Sequence, residues 1–555
     1  MRRLIAPLAL SLSAALALAS AQGLARPTST STPTPTGPPR LIVAISVDQY
    51  SADLFAEYRR SYRKGLARLQ QGAVFPSGYQ SHASTETCPG HATLLTGVHP
   101  ARSGIVANTW YEPGSARAAK PIYCAEDERD PKSSPKDPVV SAVHLKVPTL
   151  GEYLKAANPA SRNVAVSAKD RAVMMMGGHQ IDAAYWWKGA GFVTLGGRTL
   201  SPAAVRENAA ITKVLAKGAG PFKMPDMCRA TNRSVAVGKA AVGTGAFALE
   251  KAKPDQFRIS PRMDAATVDL ANALVDEMGL GQGAAADVLS VSLSATDYIG
   301  HATGTAGLEM CIQMAELDKS IGRLLNHLDD KGIDYLVVLT ADHGGLDTPE
   351  RADLQGYPLA VRVDQSLSPK ALSKDVAART GIVLADTPLV FGEGGDLYIN
   401  RLLKPTDRAR AIDALMQIIK PNPQVAAVFT NDELAKTPMP SGNPQDWSLK
   451  DRARASYDPV RSGDVVVLLA RGITPIPEPM PGSYIATHGS AWDYDRRVPM
   501  LFWRSGMMRF EQPQPVETVD IAPTLAAILG LQVPDGSFDG RCLDLDGGAG
   551  NTCGN

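Results

Sequence analysis

Asp297-Tyr-Ile-Gly-His301 has the spacing D-x-x-x-H. On one helical turn residues i and i+4 share a face, so this carboxylate and imidazole can meet a single metal ion. Asp342-His343-Gly344-Gly345 follows an apolar run. Adjacent side chains can both reach inward there only where the chain turns, which two glycines permit. His488 stands in Thr-His-Gly-Ser, and Asp48 ends the first strongly apolar run. Three carboxylates and three imidazoles form a mixed oxygen and nitrogen donor set suited to zinc or a similar divalent ion. With only nine His in the chain, their pairing with Asp is informative.

Thr85-Glu-Thr87-Cys-Pro-Gly-His91 precedes an apolar helical stretch ending at Gly97. Read alone, Thr87 is an ordinary helix N-cap. Beside the donor set it becomes a hydroxyl at a helix N-terminus, an end that favours anions and lowers the cost of an alkoxide. His91 packs that helix or stands behind the metal donors. Lys169-Asp-Arg171 is a second cationic feature. Alone it reads as a solvated basic turn; on a strand, positions 169 and 171 would face the same way. His82, His99, His144, His179 and His327 lack partnered spacing and read as surface or satisfied core residues. Met174-Met175-Met176 reads as core packing near the pocket floor.

These residues need a scaffold that gathers distant segments. Leu41–Val47, Val288–Leu293, Tyr335–Thr340, Val465–Leu469 and Val498–Trp503 are near-continuous apolar runs. Such runs suit strands covered on both faces. Helical patterns fall near 53–71, 91–97, 148–157, 264–279, 307–330 and 520–529, with another near 406–419. The alternation predicts a doubly wound α/β fold with a mainly parallel sheet flanked by helices. In such sheets ligands bind beyond the carboxyl ends of the strands, where Asp48, Asp297 and Asp342 would converge. Residues 109–262 and 350–480 read as insertions that cap the site.

Residues 1–21 have an Arg2-Arg3 start, an apolar stretch and Ala19-Ser20-Ala21, the pattern of a secretory signal peptide. Its loss removes two Arg and takes the formal net charge from +1 to −1. Neither value implies a nucleic-acid or membrane-surface partner. Residues 22–39 form a Pro/Thr/Ser linker and the folded domain spans 40–555. Six Cys in an exported chain imply disulfides, and six allow 15 pairings. Sequence alone does not choose among them; Cys542 and Cys553 are close together near a Gly-rich tail and form the local pair, and neighbour order would pair Cys88 with Cys124 and Cys228 with Cys311. With no CxxC, a Cys-based zinc site is not indicated.

The ordered set Asp48, Thr87-Cys-Pro-Gly-His, Asp297-x-x-x-His301, Asp342-His343-Gly and His488 resembles the alkaline phosphatase superfamily of two-metal phosphotransferases. The resemblance spans nearly the whole chain after the leader. It implies one zinc held by Asp297, His301 and His488, a second held by Asp48, Asp342 and His343, and Thr87 as nucleophile on the second zinc. Sulfatases of the superfamily use C-x-P-x-R, which Cys88-Pro89 does not match. Asn108 resembles the Asn with which phosphodiesterases of the superfamily read the phosphoryl group. Lys169 and Arg171 resemble the Lys/Arg pair of the Thr-dependent, PafA-like alkaline phosphatases. A monoester is a dianion and a diester a monoanion, so two added cations fit a monoesterase.

The resemblance therefore implies a periplasmic or extracellular alkaline phosphatase. It would hydrolyse small-molecule phosphate monoesters through a phosphothreonine, with two zinc ions about 4 Å apart. A secreted nucleotide phosphodiesterase with the same metals is the alternative. Metal-dependent mutases of the superfamily use Ser and lack a leader, and a metal-free binding protein would leave clustered carboxylates uncompensated. The Asp544–Asp546 tail is a candidate calcium site, although its spacing is not that of an EF-hand loop. The sequence does not fix the oligomeric state, and a monomer is compatible with it.

Overall fold

The computed structural model describes residues 37–112, 121–385, 387–393, 395–479 and 484–554. The leader, and all but the last three residues of the linker, lie outside this range.

The central sheet has ten strands: β1 (Leu41–Val47), β2 (Ala73–Tyr79), β3 (Asn163–Ser167), β4 (Ala183–Lys188), β5 (Gly191–Val193), β6 (Asp287–Leu293), β7 (Tyr335–Thr340), β8 (Arg497–Arg504), β9 (Phe510–Glu511) and β10 (Val516–Glu517). Their order is β9-β2-β8-β7-β1-β6-β3-β4-β5, with β10 also on β2. The five strands β7, β1, β6, β3 and β4 run parallel. β8 is antiparallel to both its neighbours.

Every residue of β1, β6 and β7 is buried. Strand period explains how β1 serves two cores. Leu41, Val43, Ile45 and Val47 enter one, packed by the helices Pro261–Met278 and Leu308–Asp330. Ile42 and Ala44 enter the other, packed by Thr87–Thr96, Leu150–Ala157 and Ile521–Leu529. Each buried Leu, Ile or Val contributes roughly 1.5–3 kcal/mol. Both faces are thus covered, as the apolar runs imply.

Three expectations are corrected. The pattern over 53–71 forms two short helices, Ala52–Tyr58 and Gly65–Leu69, not one. Residues 109–262 are not wholly an insertion, because they supply β3, β4 and β5 to the central sheet. Val465–Leu469 belongs to a separate antiparallel sheet of four strands, with Val390–Glu393, Asp396–Ile399 and Val425–Thr430. Val465 and Val467 pack into one small core and Val466 and Leu468 into another, and three of the five residues of Val465–Leu469 are only half-buried.

The three disulfides are Cys88–Cys124, Cys228–Cys311 and Cys542–Cys553, as neighbour order gives. Among the described residues no helix is long and apolar enough to cross a membrane.

The C-terminal segment is tied to the core through His99. Its ring lies 3.0 Å from Glu517 and 3.2 Å from Asp539. Burial by itself lowers the imidazole pKa, but the two carboxylates outweigh it and push the pKa up to about 9. A folded pKa above the unfolded value of about 6.5 stabilises fully below that pH, and the gain is lost as pH rises through 9. The gap in melting temperature between wild type and His99→Gln should therefore narrow between pH 6 and pH 10. The stability at stake is at most about 3 kcal/mol. A gap that stays constant would contradict this role.

Candidate active site

The site forms beyond the carboxyl ends of β7, β1 and β6, which lie side by side in one direction. Asp48 follows β1 and accepts a hydrogen bond from the Ser292 hydroxyl of β6 at 3.2 Å. The next residue, Gln49, has φ +63°, a left-handed conformation unusual outside glycine. Its backbone N–H donates to Asp342 Oδ1 at 3.1 Å, so the strained turn after β1 holds the carboxylate after β7. Such strain costs on the order of 1 kcal/mol and concentrates at functional sites. The N–H of His343 also donates to Asp342 Oδ1, at 3.0 Å.

Gly344 and Gly345 are glycine for a reason other than the expected turn. Neither is among the residues of positive φ. A Cβ on Gly344 would lie 2.2 Å from the Tyr494 carbonyl oxygen, and one on Gly345 would lie 2.8 Å from the Gln49 side chain. Close approach, not backbone freedom, excludes a side chain.

Asp297 and His301 lie on the helix Ala295–Thr303, one turn apart, with Nε2 3.2 Å from Oδ1. Ser294 gives this helix no side-chain cap. Asp264 does so instead, accepting from the Ala295 N–H at 2.9 Å and from the Gln313 amide at 2.7 Å. Burial pushes the Asp264 carboxyl up to about 7. The sequence reading missed Asp264, which lies on another helix with no motif around it. It also missed Asp495, which fixes the loop of His488 by accepting from the Ser490 N–H at 2.8 Å.

The imidazoles share one orientation. Nδ1 of His301 bonds the Ala486 carbonyl at 2.9 Å, Nδ1 of His343 the Gly344 carbonyl at 2.8 Å, and Nδ1 of His488 the Thr85 carbonyl at 2.8 Å. Each Nε2 is thereby left facing carboxylate: His301 and His488 face Asp297, and His343 faces Asp342. A backbone acceptor on one ring nitrogen, freeing the other, is how metal-ligating histidines are oriented. Asp297 Oδ1, Asp342 Oδ2 and His343 Nε2 are buried without a hydrogen-bond partner. Burial, and then the neighbouring His343, lowers the His488 pKa to about 4, so its lone pair is free. These donors fit divalent cations.

Two tight donor groups result, with atoms within 4.8 Å of one another: Asp297, His343 and His488, and Asp48, His91 and Asp342. The grouping crosses the expected division. His343 lies among the first group's donors as well as beside Asp342, its ring stacked on His488 at 3.5 Å. His91 bridges the carboxylates of the second, 3.2 Å from Asp48 and 3.2 Å from Asp342. Burial lowers the His91 pKa, but Asp342 and Asp48 outweigh it and raise it to about 9.

Lys169 joins the two groups. Its ammonium lies 2.7 Å from Asp48, 2.6 Å from Asp297 and 3.4 Å from Thr87 Oγ1. Burial opposes its charge, but Asp297 and Asp48 hold its pKa well above the usual lysine range. The expected strand alternation of Lys169 and Arg171 does not occur. β3 ends at Ser167, Lys169 is the N-cap of the helix Asp170–Gly177, and Arg171 is in its first turn. Ser167 accepts from the Lys169 N–H at 3.0 Å and stops the strand there. Arg171 Nε is buried without a hydrogen-bond partner; burial opposes the guanidinium charge, but the neighbouring Tyr123 hydroxyl and Asp170 carboxylate outweigh it.

Thr87 is the first residue of the helix Thr87–Thr96, so Pro89 and Gly90 lie within its first turn instead of before it. Proline is tolerated there because the first turn leaves N–H groups unbonded. A Cβ on Gly90 would lie 2.0 Å from the Asp342 carbonyl oxygen. The helix therefore rests its backbone directly on the Asp342–His343 loop. Asn108 Oδ1 accepts from the Cys88 N–H at 2.9 Å, and the Asn108 carbonyl accepts from the Cys124 N–H at 2.9 Å. The Cys88–Cys124 disulfide thus fastens Asn108 beside Thr87.

Gly90→Ala should push this helix away from Asp342. A displacement near 1 Å costs about 100-fold in rate. Initial rates should fall by that order while the protein stays folded, and an undiminished rate would contradict the close-approach argument.

Residues 42–491 match the family described as type I phosphodiesterase / nucleotide pyrophosphatase. Alkaline phosphatase PhoK of Sphingomonas sp. is 50% identical over 518 residues, covering 93% of each chain. Alkaline phosphatase PhoD of Zymomonas mobilis subsp. mobilis is 49% identical over 519 residues, covering 93% of this chain and 89% of its own. The crystal structure of wild-type alkaline phosphatase PafA superposes with a TM-score of 0.79 at 24% identity, covering 92% of this chain and 99% of its own. That likeness speaks for the fold: a mixed, mainly parallel sheet flanked by helices. With a family match over most of its length and two relatives at about half identity, the chain belongs to the type I phosphodiesterase / nucleotide pyrophosphatase family, within the alkaline phosphatase superfamily.

Proposed function

We propose that the protein is an exported alkaline phosphatase that hydrolyses phosphate monoesters with two zinc ions and a phosphothreonine on Thr87. One observation carries this reading. The buried ammonium of Lys169 contacts a carboxylate of each donor group and stands 3.4 Å from the Thr87 hydroxyl. A fixed positive charge there suits a substrate with one more negative charge than a diester. The names of the PhoK and PhoD relatives support the same activity.

Asp297, His301 and His488 would hold one zinc, and Asp48, Asp342, His343 and Thr87 the other. His91 braces Asp48 and Asp342 from behind. When bound, the two cations supply Lewis-acid stabilisation of the phosphoryl oxygens and lower the pKa of the Thr87 hydroxyl. Thr87 Oγ1 attacks phosphorus in line, the bond to the leaving oxygen breaks, and phosphothreonine forms. Lys169, Arg171 and Asn108 bind the non-bridging oxygens as charge builds on them. Water entering on the side the leaving group vacated then releases phosphate and restores Thr87.

The leader and the three disulfides support a periplasmic or extracellular location. Neither nucleic acid nor membrane is needed, and a monomer suffices. In the tail, Asp544 and Asp546 accept backbone N–H groups, and the calcium expectation there rests on sequence alone. A nucleotide phosphodiesterase is the second reading, favoured by the family description.

Turnover of 4-nitrophenyl phosphate against bis(4-nitrophenyl) phosphate decides between them. The monoester should be strongly preferred, and a preference for the diester would overturn the proposal. Thr87→Ala should keep its metal and lose nearly all turnover; full activity would refute the nucleophile. Arg171→Ala should lower kcat/KM for the monoester about 10- to 100-fold, the loss of a charge-assisted hydrogen bond, and affect the diester less.

A further inference from the structure

The side chain of Tyr484 is unlike the other tyrosines near the site. Tyr298, beside Lys169, is 8% exposed, whereas Tyr484 is 52% exposed. Its ring lies parallel to the His301 imidazole, 6° between planes and 4.0 Å between centroids. The backbone that follows is strapped across the same histidine. The Ile485 N–H donates to the His301 carbonyl at 2.8 Å, and His301 Nδ1 donates to the Ala486 carbonyl at 2.9 Å. These bonds hold the segment beside His301, and the Tyr484 ring that stacks there stays about half exposed.

The position of that ring matters for the reaction. His91 Nδ1 bonds the Thr87 carbonyl at 2.9 Å, and the Thr87 helix rests on the Asp342 carbonyl, so Thr87 belongs with the Asp48–Asp342 group and in-line attack sends the leaving oxygen away from it. His301 belongs to the far side, with Asp297 and His488. Resting on the proposed phosphatase reading, we propose that Tyr484 is a stacking platform for planar leaving groups, so that aryl phosphates and similar monoesters are the favoured substrates. An exposed aromatic face takes a second ring in offset or edge contact, beyond simple burial of area. It offers nothing comparable to a short polyol, which retains only its phosphoryl contacts.

The test uses the zinc-loaded protein as wild type and as three variants, Tyr484→Ala, Tyr484→Leu and Tyr484→Phe. Inhibition constants are measured for phenylphosphonate and methylphosphonate, and kcat and KM for phenyl phosphate and glycerol phosphate. Tyr484→Ala and Tyr484→Leu should weaken phenylphosphonate about fivefold and raise KM for phenyl phosphate alike. Methylphosphonate and glycerol phosphate should be unaffected, and Tyr484→Phe should match wild type. If Tyr484→Ala weakens both inhibitors equally, the ring serves only to cover His301 and the platform is overturned. A phenyl preference that survives in Tyr484→Leu overturns it too. Wild type that hydrolyses neither monoester would overturn the phosphatase reading itself.

Discussion

Three carboxylates, two just beyond neighbouring parallel strands and one on the helix that follows the strand beside them, meet in a buried space. Asp48, Asp297 and Asp342 are each 2% exposed or less. Like charges so close cannot all remain ionised unless positive charge is brought to them. Lys169 contacts two of them and His91 contacts two, and each cation is itself buried. Despite burial, His301 and Lys169 hold Asp297, and His343 and His91 hold Asp342, well below the usual carboxylate range. Even so, donor atoms of Asp297, Asp342 and His343 stay unpartnered. An interior of this kind is stable only around cations, which is why the metal reading and the fold stand together.

Convergence on this scale requires backbone contact, and the glycines mark where it occurs. Gly90 lets the Thr87 helix lie on the Asp342 carbonyl, and Gly344 lets the His343 loop lie on that of Tyr494. A Cβ on Gly300 would fall 1.6 Å from the Gln49 side chain, so the His301 helix rests on the turn after Asp48. The elements that carry Thr87 and the clustered donors thus touch without room for a Cβ between them. Little freedom remains between them, which suits a reaction that depends on fixed positions.

Much of this was legible in the sequence because its signals are local. The apolar runs ending in acidic residues gave the parallel core and the site's edge, and D-x-x-x-H gave the shared helical face of Asp297 and His301. Neighbour order gave all three disulfides. What escaped depends on three-dimensional neighbours. Asp264 and Asp495 carry no motif; they matter because they bond Ala295 and Ser490 from other elements. Pro89-Gly90 reads as lying before the helix, and nothing local shows that Gly90 is pressed on Asp342. Lys169 and Arg171 look like alternating strand residues until Ser167 ends β3. Val465–Leu469 is as apolar as a central strand, but composition does not say which sheet it joins.

If the reading is right, two cations occupy the two sides of this carboxylate cluster. Anomalous diffraction at the zinc absorption edge, from crystals of protein purified with zinc, tests it most directly. The account predicts two peaks about 4 Å apart, one against Asp297, His301 and His488, the other against Asp48, Asp342 and His343. A single peak, or zinc bound only away from these residues, would contradict it.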